Sequence, residues 1–207
     1  MTLSFSQLES ARRNPAKFGA SQTGSGFYNS NNFRTYLIAS INRFHRGDTK
    51  EQVLEYFEER CRAKLTLLNY FETRLNHYKD VIAGYCDGFG ADGSVFVETN
   101  KKTALVVANH ILKGRIDRFD LRVPAGYRLT AAQLREGDWQ SELRWPLIQR
   151  AIATELNCPS DEVEVGTFCF ETGRHEHRVF SDSEIDEAQA EAEAVLTTVA
   201  IHLPGLP

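Results

Sequence analysis

Gly114-Arg115-Ile116-Asp117-Arg118-Phe119-Asp120 lies inside a longer run, Ile111–Val123, that reads as a β-strand and ends at Pro124-Ala125-Gly126. Alternation with a period of two marks a strand with one buried face. Pro-Ala-Gly has the chemistry of a tight connection. The following run, Tyr127–Leu134, therefore reads as the antiparallel partner, and the expected fold assembles around Gly114–Leu121 as a central strand. On a regular strand Lys113, Arg115, Asp117 and Phe119 share one face and Asp120 points to the other. Asp117 among these cations has three readings: a metal ligand, the remnant of one, or the salt-bridge partner of Arg115 or Arg118.

Further strands are expected upstream of the hairpin at Ser94–Thr99 and Thr103–Asn109. Downstream, a helix runs from about Asp138 to Leu156, and a strand covers Glu162–Glu171. Gly173 and Arg174 turn into His177–Phe180, and a final acidic helix, capped by Ser183 with Asp186, carries Ile185, Ala188, Val195 and Val199. The N-terminal portion, residues 1–83, is helical. Ser4 or Ser6 caps a helix reaching Phe18 with Leu8 and Ala11 inward, a Gly/Ser/Asn-rich loop follows, and Phe33, Leu37, Ile41 and Phe44 step at helical spacing toward His45. Thr49 and Gln52 form a capping box. The stripe Leu54, Phe57, Cys61, Leu65, Leu68, Phe71, Leu75, Tyr78, Ile82 then predicts one long helix of roughly 33 residues, about 50 Å long. The expectation is one α/β (α+β) domain over residues 1–207, with a sheet core and flanking helices over 94–200.

At 207 residues, 42% hydrophobic and 25% charged, the chain has the composition of a globular protein with one good core. No run approaches the ~18 apolar residues of a membrane helix, and the N-terminus lacks the basic start and apolar stretch of a signal peptide, so a cytoplasmic protein with no membrane partner is expected. Cys61, Cys86, Cys158 and Cys169 form no CxxC pair and read as free thiols in a reducing compartment. Residues 1–150 carry a net charge of +6 and residues 151–207 a net of −10. That asymmetry suits polyanion binding on the basic side, and a solvated acidic helix gives the same arithmetic. His175-Glu176-His177 lacks the H-E-x-x-H spacing of a zinc helix and reads as a polar hairpin end. His45, closing its helix, is placed where a cation favours the helix dipole.

Four blocks, taken in order, resemble the RecB-like nucleases of the PD-(D/E)XK superfamily. They are Leu3-Ser4-Phe5-Ser6-Gln7-Leu8-Glu9 with Asn14-Pro15-Ala16-Lys17-Phe18; Gly114-Arg115-Ile116-Asp117-Arg118-Phe119-Asp120; Trp139 with Glu142-Leu143-Arg144-Trp145-Pro146-Leu147-Ile148; and Glu164–Phe170 with the acidic helix after it. The resemblance implies a restriction-endonuclease-like mixed central sheet flanked by helices, acting on DNA, with Asp117 as the catalytic metal-binding carboxylate. The chain departs from the family on the next strand. Where active relatives carry Asp/Glu-x-Lys, the strand after Asp117 has Ala131 and Gln133, and Arg144 and Ile148 stand in the places of a Gln and a Tyr.

Phosphodiester hydrolysis in such a fold needs divalent ions held by carboxylates and a lysine at the water. Alanine binds no Mg²⁺, and glutamine adds no charge to offset the transition state. The resemblance thus implies a degenerate nuclease fold without cofactor, serving as a DNA-binding or structural subunit beside a helicase or nuclease in recombination, repair or phage defence. An active Mg²⁺- or Mn²⁺-dependent nuclease using Asp117 and Glu98 is the alternative, and a protein-interaction adaptor built on the long helix and the acidic end is the third. Candidate nucleic-acid contacts are Arg12, Arg13 and Lys17 on the first helix and Lys113, Arg115 and Arg118 on the strand.

Overall fold

The structure is a computed structural model that describes residues 2–15, 18, 32–91 and 93–202. Lys17 and the loop expected from Gly19, up to residue 31, lie outside the described residues. In chain order the elements are β1 (Thr2–Ser4), α1 (Phe5–Arg13), α2 (Phe33–Phe44), α3 (Lys50–Leu65), α4 (Phe71–Gly88), β2 (Ser94–Val107), β3 (His110–Arg122), β4 (Tyr127–Gln133), α5 (Arg144–Leu156), β5 (Val163–Cys169), β6 (Arg174–Arg178) and α6 (Asp182–His202). The six strands form one mixed sheet in the order β1-β3-β4-β5-β6, with β2 also on β3. β3 is its centre: β2 pairs with it antiparallel from Ser94 to Val107, β4 pairs antiparallel at Arg118–Leu121, and β1 pairs parallel at Ile111–Lys113. β4 and β5 run parallel, and β6 closes the far edge antiparallel.

The sheet separates two apolar layers. Leu8 of α1, Trp145, Leu147 and Ile152 of α5, and Ile185 and Leu196 of α6 pack on Leu112, Leu129, Val163 and Val165. Against the other face, Phe33 and Leu37 of α2, Phe57 of α3, and Leu75 and Ile82 of α4 gather around Phe168 and Phe170. The chain is therefore a mixed α/β protein with helices on both sides of the sheet, and the β3–β4 hairpin lies at its centre as the alternation predicts.

Four local expectations are corrected. The long helix is two helices, broken at 66–70, where Tyr70 adopts a left-handed φ of 57° and Leu67 is 98% exposed. Folding back lets Val53, Phe57, Cys61 and Leu65 on α3 and Leu75, Tyr78 and Ile82 on α4 share one core; a straight 50 Å stripe has no sheet of that length to cover it. Arg62 closes the corner on Glu72 at 2.6 Å. The two upstream strands are one, β2, whose irregularity survives as a register shift between Phe96 and Glu98 and a left-handed Asn100. The helix expected from Asp138 begins as a 3₁₀ turn, Trp139–Ser141, before α5. The last helix is capped two residues earlier than expected, by Ser181 with Glu184, whose backbone N–H donates to Ser181 Oγ at 3.3 Å while Ser181 N–H donates to Glu184 at 2.8 Å. The capping boxes at Ser4/Gln7 and Thr49/Gln52 form as written in the sequence.

Gly114 has a packing reason to be glycine. A Cβ there would stand 2.6 Å from Cδ2 of Phe5, the buried first residue of α1. Gly114→Ala is expected to destabilise the protein by about 1–3 kcal/mol through overpacking. Phe5→Leu in the same background should recover part of that loss in a double-mutant cycle read by chemical denaturation.

Candidate functional site

Asp117 sits where the pairings of β3 diverge: β1 holds the strand at Ile111–Lys113, and β4 holds it from Arg118 onward. Past Thr130, β4 no longer pairs with β3, and the Asp117 carboxylate takes over. Its Oδ2 accepts the Ala132 backbone N–H at 2.7 Å. Arg34, projecting from α2, lies 3.6 Å from the same oxygen and donates to the Ala132 carbonyl at 3.0 Å. Burial raises the Asp117 pKa, while the Ala132 N–H, Arg34 and Arg144 act to lower it. Burial outweighs them, so the pKa of Asp117 stands above the usual carboxylate value although one amide and two cations of the chain lie near it.

Extending the β3–β4 register by one residue sets Ala131 opposite Asp117. Ala131 pairs with Thr167 on β5, and Thr167 with Glu176 on β6, so Ala131, Thr167 and Glu176 form one paired row that points toward Asp117. Gln133 donates to Thr167 Oγ1 at 3.2 Å, and Trp139 Nε1 donates to Glu176 at 2.8 Å. Gln133, Thr167 and Glu176, with Glu136, Cys169 and Arg174, line a depression of about 380 Å³. Glu9 of α1 is 7% exposed and accepts the Arg144 backbone N–H at 3.1 Å. Burial raises its pKa and Glu142 adds to the rise, against the lowering effect of that N–H and of Arg12 and Arg144. Arg144 itself bonds Glu142 and lies 4.8 Å over the Trp145 ring.

Asp117, Glu9, Glu142 and Glu176 therefore each already have a donor from the chain. Among the described residues, no three His, Cys, Asp or Glu side chains are grouped to hold a metal ion. Glu98 does not join Asp117: it pairs with Lys101 at 3.3 Å, and Lys101 turns to Glu155 on α5 at 2.7 Å.

The basic candidates separate. Arg12 is engaged by Glu191 of α6 at 2.6 Å, and Arg13, largely exposed, is 4.0 Å from Glu142. Lys113 and Arg115 are exposed on β3. Arg118 is a correction: it is 5% exposed and lies inside the protein, where it cannot meet a phosphate. Its Nε donates to buried Asp120 at 2.7 Å, one Nη bonds the Tyr85 hydroxyl, and the other reaches Thr130 Oγ1 at 3.3 Å. His177 Nε2 lies 2.9 Å from Thr130 Oγ1, and His45 Nε2 lies 2.6 Å from the Tyr85 hydroxyl. His45 is consequently no dipole-stabilising cation, because burial and the nearby Arg118 push its pKa down to about 3. Phe119 also leaves the expected face: it is buried in the same core as Ile116, under Lys101.

Sequence reading missed Glu9 and Arg34 as members of the site, and Tyr85 as the centre of the buried network. A signal for Glu9 was present, since an acid four residues after Phe5 stands on the inward stripe of α1. No comparable signal exists for Arg34 or Tyr85, whose partners lie 98 and 33 residues away along the chain.

No known protein family and no curated protein matches the sequence. Among solved structures, a presumed exonuclease from Eubacterium rectale superposes with a TM-score of 0.63 over 99% of this chain and 82% of that one, at 8% identity. The fold is nuclease-like. A second structure, described as SSO0001, aligns over 91% of this chain and 84% of that one at 10% identity, and its TM-score of 0.34 is too low to carry an argument.

Within this nuclease-like fold Arg118 is a structural residue. Arg118→Met should cost about 3–5 kcal/mol by leaving the Asp120 charge buried without its partner. Urea denaturation reads the loss, and removing both charges together, Arg118→Met with Asp120→Asn, should cost less than Arg118→Met alone.

Proposed function

We propose that the chain is a single RecB-like PD-(D/E)XK domain whose hydrolytic site has degenerated, and that it serves a DNA-processing complex by binding nucleic acid while a partner nuclease or helicase supplies the chemistry. The observation that carries the reading is local. Carried one residue past its last pair, Arg118–Thr130, the β3–β4 register brings Ala131 to Asp117, two residues before Gln133, and the carboxylate that would need a metal is held by Ala132 N–H and Arg34. A metal-assisted in-line displacement needs at least one further carboxylate beside Asp117 and a cation at the attacking water. Methyl and carboxamide groups supply neither. The nuclease-like fold explains why Asp117 stands at a strand divergence, and the internal cations explain how an uncompensated acid is tolerated there.

The alternative with Asp117 and Glu98 as joint ligands has less support, because Glu98 belongs to the Lys101–Glu155 cluster. Purified protein incubated with linear, nicked and single-stranded DNA in Mg²⁺ or Mn²⁺ is expected to leave every substrate intact. Losing one electrostatic element of such a site typically lowers the rate by about 10²–10³-fold, and this site lacks two. Cleavage abolished by Asp117→Ala would overturn the degenerate reading in favour of an active nuclease.

A further inference from the structure

The two-stranded end of the sheet carries a cationic strip that the site around Asp117 does not use. Lys102 on β2 lies directly opposite Arg115 on β3, and Lys113 follows two residues away, opposite Ala104. All three are exposed, and among the described residues none of them has an ion pair or hydrogen bond with another side chain. Like charges directly opposite each other on a sheet are destabilising, so the fold bears a repulsion here that no carboxylate of its own relieves. By contrast, Arg12, Arg34 and Arg118 are each matched by an acid of the chain.

The strip borders an open groove of about 1000 Å³ running between the β2–β3 ribbon and α5. Its acidic wall residue, Glu155, is taken by Lys101. Unrelieved cations on an open groove call for a polyanionic ligand.

We infer that this groove, through Lys102, Lys113 and Arg115, grips the phosphate backbone of duplex nucleic acid. The inference rests on the nucleic-acid-binding part of the proposed function and narrows the contact to one strip, in which Lys102 joins the strand candidates Lys113 and Arg115 and buried Arg118 drops out. Two features select this occupant. Among the described residues no aromatic ring lines the groove, so it lacks the stacking platform that single strands use, and phosphate contacts are what remains. Strand addition by an acidic peptide is opposed by the β2 edge itself, which is broken by the register shift at Phe96/Glu98 and the left-handed Asn100. Such binding reads charge and spacing and carries no base preference.

The test titrates the full chain against a short fluorescein-labelled duplex, and against the matching single strand, at several salt concentrations. The variant Lys102→Ala/Lys113→Ala/Arg115→Ala is compared with Arg46→Ala/Arg60→Ala/Lys64→Ala, which removes as many exposed cations from the helical layer. The ribbon variant is expected to lose at least about tenfold in duplex affinity at low salt, and its log–log salt slope should shrink by about 2–3. The helical-layer variant should keep both. Lys102→Arg with Arg115→Lys, which preserves charge, should restore binding and exclude a folding defect. If the wild type binds duplex and the ribbon variant binds equally well, this inference fails while the proposed function stands. If the wild type binds neither DNA form, both fail, and capture of polyglutamate by the strip would reassign it to an acidic protein partner.

Discussion

β3 is the constraint on which the rest of the structure depends. One edge of it is paired with β2 over the whole ribbon, and the other is divided between β1 at its start and β4 at its end. A strand with two partners on one edge must leave a gap between them, and Asp117 occupies that gap. Gly114, just before it, lets the Phe5 ring of α1 lie on the strand, which ties α1 and Glu9 to the same place. β4 then carries the register to β5 and β6, so that the row from Ala131 through Thr167 to Glu176 is set by backbone pairing. A site at this position is thus a property of the sheet, and its chemistry is decided by which side chains the row presents.

In this chain the row presents a methyl group, a hydroxyl and an acid already bonded to Trp139. Electrostatics follow the same economy elsewhere. The net −10 of residues 151–207 is partly spent inside the molecule, where α6 gives Glu191 to Arg12, Asp186 to Arg150 and Glu184 to Arg178. The charge asymmetry of the chain therefore overstates the exposed dipole, and the cations left unmatched on the β2–β3 ribbon carry more meaning than the sum over residues 1–150.

Much of the architecture was legible because it is local. Alternation named β3 and β4, Pro124-Ala125-Gly126 named their connection, and the Ser4/Gln7 and Thr49/Gln52 boxes named two helix starts. The break at Tyr70 was not legible, since the apolar stripe keeps step straight through it and only the need to cover both stripes with one sheet decides the fold-back. β1 was missed because three residues carry no periodicity. At the candidate site, Ala131 and Gln133 are related to Asp117 in the sequence only through the resemblance to the nuclease motifs, since period alone does not fix the register between two strands. Arg34, Tyr85 and the inward turn of Arg118 could not be placed, because a regular alternation puts Arg115, Asp117 and Phe119 on one face. The irregularity of the ribbon instead sends Asp117 and Arg118 into one crevice and Phe119 into the opposite core.

The central proposal is that, with Ala131 near Asp117 in place of a second carboxylate and Arg34 beside its charge, this nuclease-like fold binds no divalent ion there. Mn²⁺ binding followed by electron paramagnetic resonance tests it directly, on the wild type, on Asp117→Ala and on the double variant Ala131→Glu/Arg34→Gln. The account predicts indistinguishable, non-saturating titrations for the wild type and Asp117→Ala, and a saturable site in the double variant. A saturable Mn²⁺ site in the wild type that disappears in Asp117→Ala would contradict it.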